Sequence, residues 1–206
     1  MYAIDLAISF DPWCSKEYYH NIPRPDKTTK TTWHRPYLPI QESNLLFKEW
    51  LEKRGVTYFY FDIFIQPPQW TFKIHADNIN VLDNAVKLNF AYGSDNGYNK
   101  MCWYNTDSSK TKIINNLGGS ARYWNEEDCE LIYEHFIGKP SLVNTGQPHA
   151  VKNFTDEPRI CFSFPLVKLG GVEHEKKSWF NPIEHIQDHE FLQWDEAIQL
   201  LTKEII

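Results

Sequence analysis

The chain has 206 residues, room for one domain with a sizeable core, and its 42% apolar and 23% charged residues are the balance of a folded globular protein. A net charge of −6, with Lys27-Thr-Thr-Lys30 as the densest basic run, argues against nucleic-acid backbone as a bulk partner. No apolar run approaches the about 18 residues of a membrane span, so a membrane is not expected as a partner either.

Met1-Tyr-Ala-Ile-Asp5 lacks the charged start and continuous apolar stretch of a signal peptide. Cys14, Cys102, Cys129 and Cys161 are scattered, with no Cys-x-x-Cys pair, which suits neither a disulfide framework nor a cysteine-rich zinc site. The expectation is a soluble protein of a reducing, cytoplasmic compartment. Aromatic residues make up 16% of the chain and favour β-sheet, where flat rings and branched side chains suit a pleated, half-buried surface.

Residues 1–40 are punctuated by Asp11-Pro12, Pro23-Arg24-Pro25, Arg35-Pro36 and Leu38-Pro39, and read as an irregular arm or short edge strands, because proline cannot donate to a sheet ladder. Ser43 opens a helix expected over 44–54. Leu46, Phe47, Trp50 and Leu51 recur there at helical spacing, and Gly55 stops it.

From Thr57 the period changes to that of strands. Thr57 to Ile65 is dense in strand formers and ends at Pro67-Pro68. Trp70 to His75 alternates, with Trp70, Phe72 and Ile74 on one face and Thr71, Lys73 and His75 on the other. Short strands are expected at Asn84–Tyr92, Met101–Tyr104, Ile113-Ile114, Ala121–Trp124, Leu131–Ile137, Ser141–Asn144, Pro148–Lys152 and Arg159–Phe164. Gly93, Gly97, Asn105-Thr-Asp107 and Gly118-Gly119 mark turns between them.

Many short strands at regular intervals predict an antiparallel sandwich or barrel. Phe191, Trp194, Ile198, Leu201 and Ile205 then step at three or four residues, so 189–205 reads as an amphipathic helix. Nothing suggests a linker or repeat, and 1–206 is read as one domain.

Three elements carry chemistry. On an extended segment His75 and Asp77 point the same way and can reach one point. With eight His and twenty-seven acids, roughly one His-x-Asp/Glu is expected by chance, so this pair alone proves nothing. The second element is His149, which begins a strand after a Gly/Pro turn; two imidazoles and one carboxylate suit ferrous iron and leave three positions open.

The third is Arg159, ten residues after His149 and beyond a turn. Alternation puts Arg159, Cys161 and Ser163 on one face, with Ile160, Phe162 and Phe164 on the other. A guanidinium facing the interior is costly without an anion, and its fork matches a carboxylate. An inward Arg beside a metal therefore predicts a bound dicarboxylate.

His-x-Asp, a distal His and an Arg about ten residues on resemble the signature of the 2-oxoglutarate and iron(II)-dependent oxygenases. His75, Asp77, His149 and Arg159 match it in order. The resemblance covers roughly 57–166, and Asn144 to Val151 with Pro158 to Phe164 look most like the prolyl- and asparaginyl-hydroxylase-like branch.

It implies a mainly β, cupin-like jelly roll (double-stranded β-helix) with flanking helices. It further implies iron(II) on His75, Asp77 and His149, 2-oxoglutarate with its far carboxylate on Arg159, and dioxygen at the remaining position. Asp77 stands where the family's halogenases carry a small residue, so hydroxylation is implied, and Arg159 serves where the histone-demethylase branch uses a Lys on another strand.

Ser163 is either a further donor to the co-substrate or a buried Ser bonded to backbone. Asn89 either contacts the co-substrate or marks a sheet edge. Trp103 and Tyr104 line the substrate mouth or belong to the core, and His135 reads as structural. His174, His185 and His189, among Glu173, Glu175, Glu184 and Glu190, read as solvated surface.

Two rivals remain: a cupin-like metal binder in which Arg159 points outward or joins an internal ion pair, and a carbohydrate-binding jelly roll with Trp103, Trp124 and Trp179 as exposed platforms. The acidic balance favours a neutral or cationic peptide or small-molecule substrate.

Overall fold

The computed structural model describes residues 1–12, 32–34, 44–58, 61–77, 85–93, 99–116, 119–169 and 191–203. The strands in chain order are β1 (Ala3–Asp5), β2 (Thr32–His34), β3 (Val56–Tyr58), β4 (Asp62–Gln66), β5 (Trp70–Thr71), β6 (His75–Asp77) and β7 (Val86–Tyr92). There follow β8 (Asn99–Thr106), β9 (Lys112–Asn116), β10 (Gly119–Tyr123), β11 (Cys129–Phe136), β12 (Ser141–Asn144), β13 (His149–Asn153) and β14 (Arg159–Lys168). Two helices, α1 (Leu45–Glu52) and α2 (Trp194–Leu201), complete the described elements.

The strands form two antiparallel sheets. One runs β1-β12-β7-β14-β4-β2, with β3 also on β14; the other runs β11-β8-β13-β6-β10-β9, with β5 also on β13. Neighbours are rarely consecutive, because the chain crosses from sheet to sheet: β4, β7, β12 and β14 lie in the first, and β6, β8, β11 and β13 in the second. That winding is the jelly roll expected from the sequence. The N-terminal arm contributes β1 and β2, each at an edge of the first sheet.

Alternation gives the first sheet two unlike faces. Ile63, Ile65, Leu88, Phe90, Ile160, Phe162 and Phe164 join α1 and α2 in the largest core cluster. Phe47 of α1 anchors it, fully buried, with ring centroids 5.0 Å from Phe164, 5.4 Å from Phe90 and 5.6 Å from Tyr58. The opposite face looks toward the second sheet and carries the polar side chains discussed below.

Several boundaries differ from expectation for identifiable reasons. Ser43 lies outside the described residues; the cap is Asn44, whose Oδ1 accepts from Leu46 N at 2.9 Å while its Nδ2 donates to Asp11 O at 2.7 Å. Gly55, at φ 69°, follows α1 as expected, but Leu46 is 59% exposed and lies off the buried stripe of Phe47 and Leu51.

The single strand expected from Thr57 is two. Leu166 pairs with Tyr58 and Ser163 with Asp62, so the first side spends one residue more than β14 and the ladder breaks. The C-terminal helix is shorter than 189–205, because Phe191 bridges Val167 and Gln193 bridges Ala85 before the helix begins.

The alternation expected across Trp70–His75 also fails. Residues 72–74 leave the strand, Phe72 turns its ring edge to His75 at 4.8 Å, and Ile74 packs with Ala76 and Cys102 in a different cluster. Cys102, Cys129 and Cys161 are free thiols. No helix among the described residues is long and apolar enough to cross a membrane.

Candidate metal centre

His75 and His149 are direct partners across the β6–β13 ladder, and Asp77 lies two residues beyond His75 on the same face of β6. One ligand-type atom from each of the three lies within 4.8 Å of the others. This is the only group of three or more His, Cys, Asp or Glu side chains with such convergence among the described residues.

Both rings are aimed by their own chain. His75 Nδ1 donates to Lys73 O and His149 Nδ1 to Gln147 O, each at 2.9 Å. A carbonyl can only accept, so the proton sits on Nδ1 and the Nε2 lone pair is left for the site. Burial pushes His149 down to about 3, so its ring is neutral at neutral pH.

Asp77 is subject to opposed effects. Burial alone raises its carboxyl, but the charge of Lys87, whose Nζ is 2.7 Å from Oδ2, holds it well below the usual carboxylate range. The site therefore presents two imidazoles and one carboxylate, a donor set that fits a divalent ion such as iron(II), with positions left open.

The triad opens on an interior cavity with about 480 Å³ of atom-free space, its mouth included. Arg159, 2% exposed, begins β14 on the opposite sheet and lines this same cavity. Its register partner is Gln66, whose Oε1 accepts from Nη1 at 3.1 Å, while its Nε has no partner. Cys161, two residues on, also faces inward; burial raises its thiol, against the charge and hydrogen bond of Arg159.

Ser163 and Asn89 are cross-strand partners on β14 and β7, and both line the cavity. Asn89 Oδ1 and Thr145 Oγ1, like Arg159 Nε, are buried without a hydrogen-bond partner. Orphaned buried polar atoms are rare in folded proteins. Thr145 Oγ1 and the cationic Arg159 Nε can both donate and fit a polar anionic ligand, whereas Asn89 Oδ1 can only accept.

Thus the structure brings His75, Asp77, His149, Arg159, Ser163 and Asn89 to one cavity. Sequence reasoning missed Lys87, Gln66 and Thr145. The signal for two of them was present: in Val86-Lys-Leu-Asn-Phe90, Lys87 shares the face of Asn89, and in Asp62 to Gln66, Gln66 shares the face of Phe64. Thr145 follows the last residue of β12 and carries no periodic mark.

Trp103 and Tyr104 belong to the core, not to the mouth. Trp103 is fully buried, with Nε1 donating to Asn144 O at 2.7 Å, and Tyr104 packs on the other face with Trp124. Trp103 and Trp124 are buried and cannot serve as stacking platforms, which must be exposed; Trp179 lies outside the described residues. His135 is structural, 2.8 Å from Asp5 Oδ1, which also accepts from Ser141 Oγ at 2.8 Å and so pins β1. His174, His185 and His189, with their neighbouring Glu residues, lie outside the described residues.

No protein-family model matches the sequence, and no curated protein matches it. Among solved structures, the nickel complex of the non-haem monooxygenase ThoJ is similar at TM-score 0.33 and 14% identity, over 71% of this chain and 63% of that one. EvdO2 from Micromonospora carbonacea var. aurantiaca follows at TM-score 0.32 and 11% identity, over 65% of this chain and 62% of its own. The viral collagen prolyl hydroxylase vCPH from Paramecium Bursaria Chlorella virus-1, in its 2OG complex, is similar at 0.31 and 16%, over 66% and 77%. The chain spans under two thirds of the first two, and likenesses this slight leave the site to be read from its own geometry.

Proposed function

We propose that this chain is an iron(II)- and 2-oxoglutarate-dependent oxygenase that hydroxylates a peptidyl or small-molecule substrate. The observation that supports it most is Arg159, buried to 2% in the same cavity as two imidazoles and a carboxylate, with its Nε unpartnered. A buried guanidinium with a neutral partner has a strong electrostatic demand for an anion. A dicarboxylate that chelates the metal at one end and reaches Arg159 at the other meets that demand.

In this reading His75, Asp77 and His149 hold iron(II), and Arg159 takes the far carboxylate of 2-oxoglutarate with its remaining N–H groups. Asn89 and Ser163, side by side in register, offer an amide and a hydroxyl to the same co-substrate. Phe64, Phe72, Met101 and Val151 line the rest of the cavity with apolar surface and exclude water. When bound, the metal would activate dioxygen, which takes two electrons from the co-acid and two from the substrate: the products are succinate, carbon dioxide and one hydroxyl on substrate carbon.

Adding iron(II) and 2-oxoglutarate without oxygen should give a metal-to-ligand charge-transfer band, and oxygen should then release succinate. Absence of the band, with Arg159→Ala leaving co-substrate binding unchanged, overturns the proposal. The rival is a non-oxidative, cupin-like metal binder, which Gln66 favours by giving Arg159 an internal partner. Gln66 is neutral, and no carboxylate pairs with Arg159 among the described residues; this rival predicts bound metal and no band.

A further inference from the structure

Asp77 does not present two equivalent oxygens. Oδ2 is engaged by Lys87 Nζ at 2.7 Å, whereas Oδ1 faces His75 Nε2 at 3.5 Å. Lys87 reaches it from the other sheet: it sits on β7, opposite Val143 of β12 and Pro165 of β14, and its side chain is only 9% exposed. The ammonium also lies 5.8 Å from the centroid of the Phe64 ring. Its direction is therefore fixed by the barrel wall rather than by solvent.

A fold gains little from such a pair. Desolvating a lysine and a carboxylate consumes most of their attraction, and an apolar pair of similar volume serves folding as well or better. The place where Lys87 matters is the metal. An octahedral ion held by one atom from each of three side chains keeps three positions, two for a chelating oxo-acid and one for dioxygen. A carboxylate that binds through both oxygens removes one of these.

We propose that Lys87 is a positioning residue that keeps Asp77 a one-oxygen ligand. By occupying Oδ2 it leaves only Oδ1 for the ion and preserves the position that dioxygen needs once the co-acid is bound. The inference rests on the oxygenase reading above.

The test uses the anaerobic iron(II)–2-oxoglutarate complex, with nitric oxide as a dioxygen surrogate read by its electron paramagnetic resonance signal. The wild type should show the charge-transfer band and bind nitric oxide as well. Lys87→Met should keep the band but weaken nitric oxide binding by about 10–100-fold, the range for lost outer contacts to metal ligands. Lys87→Arg, which keeps a charged donor, should restore it, an outcome that a purely structural role does not produce.

Unchanged nitric oxide affinity in a folded Lys87→Met protein overturns the inference while the oxygenase reading stands. A wild type without the band overturns that reading instead. Should Lys87→Met not fold, a crystal structure of the wild type with manganese(II) decides. One Asp77 oxygen on the metal and the other on Lys87 supports the inference, and both oxygens on the metal overturns it.

Discussion

The rings of His75 and His149 lie 4.3 Å apart between centroids, tilted by 48°, because the two residues are direct partners on adjacent antiparallel strands. Neither ring can be lost without leaving the other as the only imidazole at the site. His75→Ala or His149→Ala should weaken iron(II) binding by more than the about 10–100-fold typical of a lost supporting contact. Anaerobic equilibrium dialysis checks this, and affinity within a few-fold of wild type contradicts the ligand assignment.

On the oxygenase reading, Arg159 should separate co-substrate binding from metal binding. Each hydrogen bond to a charged group is worth about 1.5–3 kcal/mol, so Arg159→Gln should raise the Kd of 2-oxoglutarate at least about tenfold. Titration of the charge-transfer band measures it. The Kd of the metal alone should change little, since Arg159 offers no atom to the triad.

The metal-free protein should lose stability as pH falls from about 6.5 toward 4.5. His149 is pushed down to about 3 in the folded chain against 6.5 as its ordinary value, so below 6.5 the unfolded chain takes up the proton first. Its contribution is complete above pH 6.5 and declines with acid. Asp77, also depressed, adds its own loss only at lower pH, near the ordinary carboxylate range. Urea unfolding at pH 7, 6 and 5 should show the decline, and His149→Asn should flatten it.

Phe47 tests whether the outer core and the site are separable. Phe47→Ala should cost about 3–5 kcal/mol of stability, as large aromatic truncations do. Phe47 packs on the face of the first sheet turned away from the cavity, so metal affinity should hold at temperatures where the variant remains folded. Urea midpoints and metal titration together check both halves.

Period-2 alternation was enough to place Arg159, Cys161 and Ser163 inward and Ile160, Phe162 and Phe164 outward, because β14 is regular over that stretch. The same rule failed at Phe72, where the chain leaves the sheet between β5 and β6 and local spacing no longer fixes direction. Lys87 was legible by alternation with Asn89, but a lysine in a strand usually marks solvent, and only the facing sheet shows that it ends on Asp77. Gln66 owes its role to Arg159, far away in the chain. The start of α2 was illegible because Phe191 and Gln193 form bridges whose partners lie at Val167 and Ala85.

The Arg159–Gln66 hydrogen bond joins residues 93 apart in sequence, and the triad sits on the sheet opposite to Arg159. The centre is thus spread over two leaves that must first close on one another. No fragment ending before β14 contains it, and during synthesis the cavity is completed only after residue 159 has emerged. Until then the chain has all three residues of the triad but lacks Arg159 at the cavity's far end.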